Sequence, residues 1–175
     1  MIDYALNMTK QRKTCSISEV MAPERANFSG NIHGGYIMMM MDRVAYACAA
    51  RYCQKNVVTI SVDQVVFKQP IYVGELVTFL AHVNYVGRTS MEIGIKIMAE
   101  NLRTGEIRHT NTSFITMVAV DDHGKPTRVP ELIIESDECK RRYQEAKLRR
   151  EINRELQQRY DKINKIDHHS PPTSS

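Results

Sequence analysis

Asn31-Ile32-His33-Gly34-Gly35, with a carboxylate following at Asp42, is the stretch of this chain whose residue types and spacing suit chemistry. Two adjacent glycines let a backbone approach a ligand closely with their N–H groups unobstructed. The residues from Tyr36 to Tyr52 then read as a helix. A helix start offers unpaired N–H groups and a partial positive charge, which suit an anion or a developing oxyanion. Asp42 falls about two turns into that helix, inside an otherwise apolar segment. A carboxylate there is costly unless it is paired, hydrogen-bonded or useful. The chemistry these residues can do is attack on a polarised carbonyl. Gly34 and Gly35 would donate to the oxyanion, and Asp42 would act as general base on water or as nucleophile. Asn31, with an amide donor and acceptor, can orient the water or bind the carbonyl. His33 suits a structural hydrogen bond better than the role of base. The purely structural alternative for Asp42 is a pairing with Arg43 or Arg51.

The elements around this motif follow from patterning. A first strand is expected over 14–21, with Cys15, Ile17 and Glu19 on one side. Ala22 to Gly30 reads as loop. The helix over 34–52 carries Ile37, Met41, Val44, Ala45 and Cys48 on one face, extended by Met38, Met40 and Ala47. Being apolar almost all round, it is expected to be buried. Four strands follow, at 57–67, 76–86, 91–100 and 108–120. The third is the cleanest: Met91, Ile93, Ile95, Ile97 and Ala99 oppose Glu92, Gly94, Lys96, Met98 and Glu100. Such period-2 alternation marks antiparallel strands with one face buried. Gly87 and Gly105 sit in short hairpin-type links, and Gln69 to Gly74 forms a longer crossing loop. One long helix before a run of long strands predicts an α+β fold, with the sheet wrapped around the helix. The domain organisation predicted is a flexible lead-in at 1–13, a domain over 14–134, a charged helix over 135–167 and a disordered tail at 168–175. On that last helix Leu148, Ile152, Leu156, Tyr160 and Ile163 form a narrow apolar stripe.

Composition excludes several function classes. The chain of 175 residues has a formal net charge of +4, spread evenly. Residues 1–134 hold 14 basic and 12 acidic side chains, and residues 135–175 hold 10 and 8. No basic patch suggests a nucleic-acid partner. Cys15, Cys48, Cys53 and Cys139 form no C-x-x-C and no Cys/His zinc spacing, so no metal and reduced thiols are expected. His168-His169 has no Cys or acidic partner in register. Without an apolar leader or a membrane-length run, the cytoplasm is the expected location and no membrane association is expected.

The run Gly30-Asn31-Ile32-His33-Gly34-Gly35-Tyr36-Ile37-Met38, then Met41-Asp42, resembles the hotdog-fold acyl-CoA thioesterases of the YciA and brain acyl-CoA hydrolase type. The stretches 57–63, 67–70, 73–75, 87–91 and 118–126 fit the same resemblance, which spans roughly residues 14–130. It implies hydrolysis of an acyl-CoA to free acid and CoA, with no cofactor beyond the CoA of substrate and product. It also implies a catalytic homodimer, assembled as a trimer of dimers. Asn31 of one protomer and Asp42 of its neighbour would complete each site. The phosphates of CoA call for cations. Arg88 in the Gly87-Arg88-Thr89-Ser90 turn comes first, with Thr89 and Ser90 beside it, then Lys125 and Arg128. His33, Thr59 and Ser61 are candidates to line the substrate. The runners-up are a hotdog hydratase or dehydratase, which would need a histidine working with the helix acid, and a non-catalytic acyl-CoA-binding sensor.

Overall fold

A computed structural model describes residues 11–167, which form two compact units, one ending at Ile133 and one beginning at Ile134. Residues 1–10 of the expected lead-in and the expected tail at 168–175 lie outside the described residues.

The first unit is a five-stranded antiparallel sheet and one long helix. Strands β1 (Thr14–Val20), β2 (Asn56–Val62), β3 (Leu76–Val86), β4 (Ser90–Glu100) and β5 (Ile107–Val120) lie in the order β1-β3-β4-β5-β2. Helix α1 (Gly34–Cys53) packs against all five. Alternation places the core: Met91, Ile93, Ile95, Ile97 and Ala99 of β4 are completely buried. Val77, Phe79 and Val83 of β3 join them, with Ile115, Met117 and Ala119 of β5. Ile37, Met40, Met41, Val44, Ala45 and Cys48 of α1 close over this face. Burying each large aliphatic side chain contributes about 1.5–3 kcal/mol, so the helix is held chiefly by its inner stripe. Gly94 sits mid-strand because a side chain there would collide with the Asn84 amide, which donates to Glu92 Oε1 at 3.2 Å.

Three expectations require correction. The strand expected over 57–67 ends at Val62; from Asp63 the chain leaves regular pairing, although Asp63 N–H still donates to Phe114 O at 2.9 Å. The register of β2 on β5 shifts between Thr59 and Ser61, and pairing resumes for Ser61 and Val62 before the strand ends. Next, α1 is not buried all round: Met38, Met39, Asp42 and Tyr46 form an exposed stripe, and Met38 is 47% exposed. Its apolar residues imitate core in the sequence, yet this protomer supplies nothing to cover them. Lastly, the apolar side of β2 is open, with Val58, Ile60 and Val62 exposed, while Thr59 turns toward the helix.

The crossing loop before β3 is tied down by charge. Arg108 pairs with Glu75 at 2.5 Å and donates to Gln69 Oε1 and Pro70 O, both at 3.2 Å. Glu75 Oε2 accepts from Tyr72 N–H at 2.9 Å, and the Arg108 guanidinium lies over the Tyr72 ring. This mostly buried pair fixes a segment that has no sheet ladder of its own.

The second unit contains helix α2 (Asp137–Asp167). Glu138 is clamped by Arg141 and Arg142, which hold its carboxyl down at about 2. Leu148, Ile152, Leu156, Tyr160 and Ile163 are all exposed along one stripe.

Burial pushes the Cys48 thiol from 9.0 up to about 12 and the Tyr52 hydroxyl from 10.0 up to about 12. Between pH 9 and 12 the folded state therefore retains protons that the unfolded chain releases. Stability present below pH 9 is then lost as the pH rises through that window. Urea midpoints measured from pH 8 to 11 should fall, and Cys48→Ala should flatten the decline. An equally steep decline in the variant would refute the assignment to Cys48.

Candidate functional site

The motif loop is built by a chain of local bonds. Asn27 Oδ1 accepts from Ser29 N–H at 2.9 Å and Asn31 N–H at 3.2 Å, and Asn27 N–H donates to Asn31 O at 2.7 Å. Gly30 closes the turn at φ +79°, a value that favours glycine. Downstream, Ile32 N–H donates to Ile71 O at 2.8 Å, and Asn31 bridges to Tyr72. The Arg108–Glu75 pair thus anchors the loop on which Asn31 is carried. The Asn31 side-chain amide makes no hydrogen bond to another described residue and is available to a ligand.

His33 caps the helix: its Nδ1 accepts from Gly35 N–H at 2.9 Å. The expected pair of oxyanion donors is therefore reduced in the protomer. Gly35 N–H is occupied, whereas Gly34 begins the helix ahead of its internal ladder. A side chain at Gly34 would come within 3.4 Å of the Phe67 ring, so glycine lets that ring lie on the helix entrance.

Asp42 is exposed, and neither Arg43 nor Arg51 pairs with it. Its partner is Thr59 on β2, whose hydroxyl donates to Asp42 Oδ1 at 2.6 Å and lies 3.3 Å from Met117 Sδ. One carboxylate oxygen is thus held. Ser61, two residues along the same edge strand, is exposed and does not join this contact. Eight residues of helix separate Gly34 from Asp42, about 12 Å along the axis. Gly34 N–H and Asp42 of one chain therefore stand well apart along the helix.

The expected phosphate cations gather at the other end of the sheet. Val129 N–H donates to Arg88 O at 3.1 Å and Ala119 N–H to Thr89 O at 2.9 Å, which sets the Arg88 turn beside the segment holding Lys125 and Arg128. Ser90 opens β4 and is 9% exposed. Among the described residues, no group of three or more His, Cys, Asp or Glu side chains is placed to hold a metal. No helix among them is long and apolar enough to cross a membrane.

The model of the thioesterase superfamily matches residues 29–106, a span that contains the motif loop, all of α1 and the crossing loop. Protein VdlD of Helicobacter pylori is 48% identical over 150 residues, covering 86% of this chain and 85% of that protein. The chain belongs to the thioesterase superfamily. Another member, the acyl-CoA thioester hydrolase YkhA of Bacillus subtilis, is 37% identical over 74% of this chain and 78% of its own length. An acyl-CoA hydrolase of Staphylococcus aureus, solved with butyryl-CoA, CoA and CoA disulfide, superposes with a TM-score of 0.78 at 30% identity, covering 90% of this chain and 94% of that one. That enzyme has also been solved with alanine replacing an asparagine, an aspartate and a threonine in turn. An apo-hexameric acyl-CoA thioesterase superposes with a TM-score of 0.80 at 36% identity, covering 83% of this chain and 93% of that one. Superfamily membership agrees with the α+β hotdog architecture expected from the sequence.

Arg108, Glu75 and Asn27 were not singled out by sequence reasoning. Asn27 had a readable signal, an Asn two residues before Ser29-Gly30 that invites an Asx turn. Arg108 and Glu75 lie 33 positions apart and meet only once the sheet has formed. Replacing the cap, His33→Ala, should lower stability by about 1 kcal/mol, read as a shift in urea midpoint. An unchanged midpoint would mean the ring contributes no capping energy.

Proposed function

We propose that the chain hydrolyses acyl-CoA thioesters to a free carboxylic acid and CoA. The observation that carries this is Asp42, an exposed helix carboxylate steered by Thr59. Water attacks the thioester carbonyl while Asp42 Oδ2 takes its proton. The tetrahedral oxyanion is held by Gly34 N–H, and its collapse expels the CoA thiolate, a good leaving group that needs little protonation. An oxyanion donor of this kind is worth about 3–4 kcal/mol. The reaction consumes only water and needs no cofactor beyond the CoA carried by the substrate. The asparagine, aspartate and threonine replaced in the staphylococcal hydrolase stand 15 and 17 residues apart, the spacing of Asn27, Asp42 and Thr59 here, which supports Asp42 and Thr59; the asparagine at that spacing is Asn27, four residues before Asn31.

The unit of catalysis is a homodimer. The separation of Gly34 from Asp42 leaves each protomer with two half-sites, and a neighbour's Asn31 and Gly34 complete the half that carries Asp42 and Thr59. The open edge of β2, with exposed Val58, Ile60 and Val62, and the exposed stripe Met38, Met39 and Tyr46 supply the surface for that neighbour. A trimer of dimers accords with the hexameric thioesterase that the chain resembles. Arg88, Lys125 and Arg128 bind the phosphates of CoA, with Thr89 beside them. A cytoplasmic location fits the substrate and the free thiols. The catalytic domain covers 14–134, with the charged helix over 135–167 as an appendage.

Thiol release from a chain-length panel of acyl-CoAs should be rapid in the wild type and fall by at least a hundredfold in Asp42→Ala. A panel that is bound but never cleaved would instead mean a sensor. In a single turnover in 18O-water, the label should enter the product acid and not the Asp42 side chain. Label in Asp42 would show a mixed anhydride route. Asn31→Ala and Asp42→Ala protomers, each inactive alone, should regain activity when unfolded and refolded together. No recovery in a mixed oligomer would refute the shared site.

A further inference from the structure

Helix α2 carries an apolar stripe that stands open to solvent. Leu148, Ile152, Leu156, Tyr160 and Ile163 are 46% to 57% exposed. Steps of four residues advance about 40° around a helix and the closing step of three returns about 60°, so all five stay on one face. That face runs about 22 Å along the axis. Charge along the helix is satisfied unevenly. Near its start, Arg141 and Arg142 bind Glu138, and Arg141 also binds Glu145. Away from the stripe, Gln157 donates to Asp161 Oδ1 at 2.9 Å. Glu151, Glu155, Arg159 and Lys162 border one edge of the stripe, and none of them makes a hydrogen bond or ion pair with another described residue.

We propose that α2 pairs with α2 of a second copy of this chain, antiparallel about a two-fold axis beside Leu156. The register that sets Leu156 against its own counterpart also sets Leu148 against Ile163 and Ile152 against Tyr160. An antiparallel pair turns the same edge of each helix toward the other. Along that edge the acids come first and the cations after, an order that a helix running the opposite way complements. Glu151 then meets Lys162 of the second copy within about one residue of rise, and Glu155 meets Arg159 within about two. The two-fold axis doubles these contacts to four ion pairs. Antiparallel packing also sets the positive end of each helix dipole beside the negative end of the other.

The apolar stripe supplies the attraction, and the exposed ion pairs supply register and direction more than net energy. Five side chains on each helix make a small interface, below what two free proteins need to associate stably. Copies already held in one assembly meet at high effective concentration, which offsets the small area. The pairing therefore rests on the oligomer proposed above, and on no step of the chemistry. A lipid surface fits the stripe less well. Helices that lie on membranes present Trp or Phe on the apolar side and basic residues around it. The chain has no Trp, α2 has no Phe, and Glu151 and Glu155 flank the stripe where anionic lipid would repel them.

The test uses the full chain, with the half-buried Cys15 and Cys139 replaced by serine, and a short bis-maleimide. Leu156→Cys should cross-link to its own counterpart, and Leu148→Cys should cross-link only after refolding together with Ile163→Cys. Two copies of Leu148 lie about 24 Å apart in this register, beyond the reagent. Charge reversal gives a second arm on the Leu156→Cys background. Chains with Glu151→Lys and Glu155→Lys should link poorly among themselves, as should chains with Arg159→Glu and Lys162→Glu. Refolded together, the two kinds of chain should link at least tenfold more than either alone. Linking through Leu148→Cys by itself would mean a parallel pair and overturn the proposal. No link at Leu156→Cys in a protein that light scattering shows assembled would overturn the pairing and leave the oligomer standing. A monomer would overturn both. Shielding of Leu156→Cys from a water-soluble maleimide by anionic phospholipid vesicles would assign the stripe to a membrane and overturn the proposal.

Discussion

Helix α1 is buried on one side and holds an exposed carboxylate on the other, and the rest of the structure answers to that constraint. Its inner stripe, from Ile37 to Cys48, is sealed against the concave face of the sheet. Its outer stripe carries Asp42. What joins the two roles is the Thr59 hydroxyl on Asp42 Oδ1, a contact from the edge strand across the helix flank. A carboxylate left on a bare helix face would sample several rotamers, and this bond restricts it. The strand that supplies Thr59 is correspondingly fixed in register on β5, opposite Met117.

Asn31 is positioned by quite different means. No strand carries Asn31; it is held by an Asx turn on one side and by the crossing loop on the other. That loop depends on a charge pair of low exposure. Removing one member of such a pair costs more than the pair contributes, because the remaining charge is stranded. The Arg108–Glu75 pair is therefore valuable for the geometry it fixes rather than for net stability.

The sequence revealed much of the architecture and less of the contacts. Strands β3, β4 and β5 and helix α1 were readable because alternation and the 3.6-residue period report directly which side is apolar. They cannot report whether an apolar side is covered by the same chain. Met38, Met39, Tyr46, Val58, Ile60 and Val62 read as core for that reason, and in the protomer they are open. The end of β2 differs from the expectation because Val65, Val66 and Phe67 continue the apolar run after pairing with β5 has ended at Val62. The use of Gly35 N–H by His33 and the choice of Thr59 over Ser61 are matters of side-chain direction, which spacing does not encode.

Gln54 shows a different economy. It ends α1 in the left-handed region, at φ 53° and ψ 39°, where helices commonly place glycine. A side chain there costs about 1–2 kcal/mol of backbone strain. The helix would terminate more comfortably with glycine, and its capping bond from Gln54 N–H to Ala50 O would be unaffected. The protein thus leaves stability unclaimed at the end of α1, keeping an amide where a more robust fold would keep nothing.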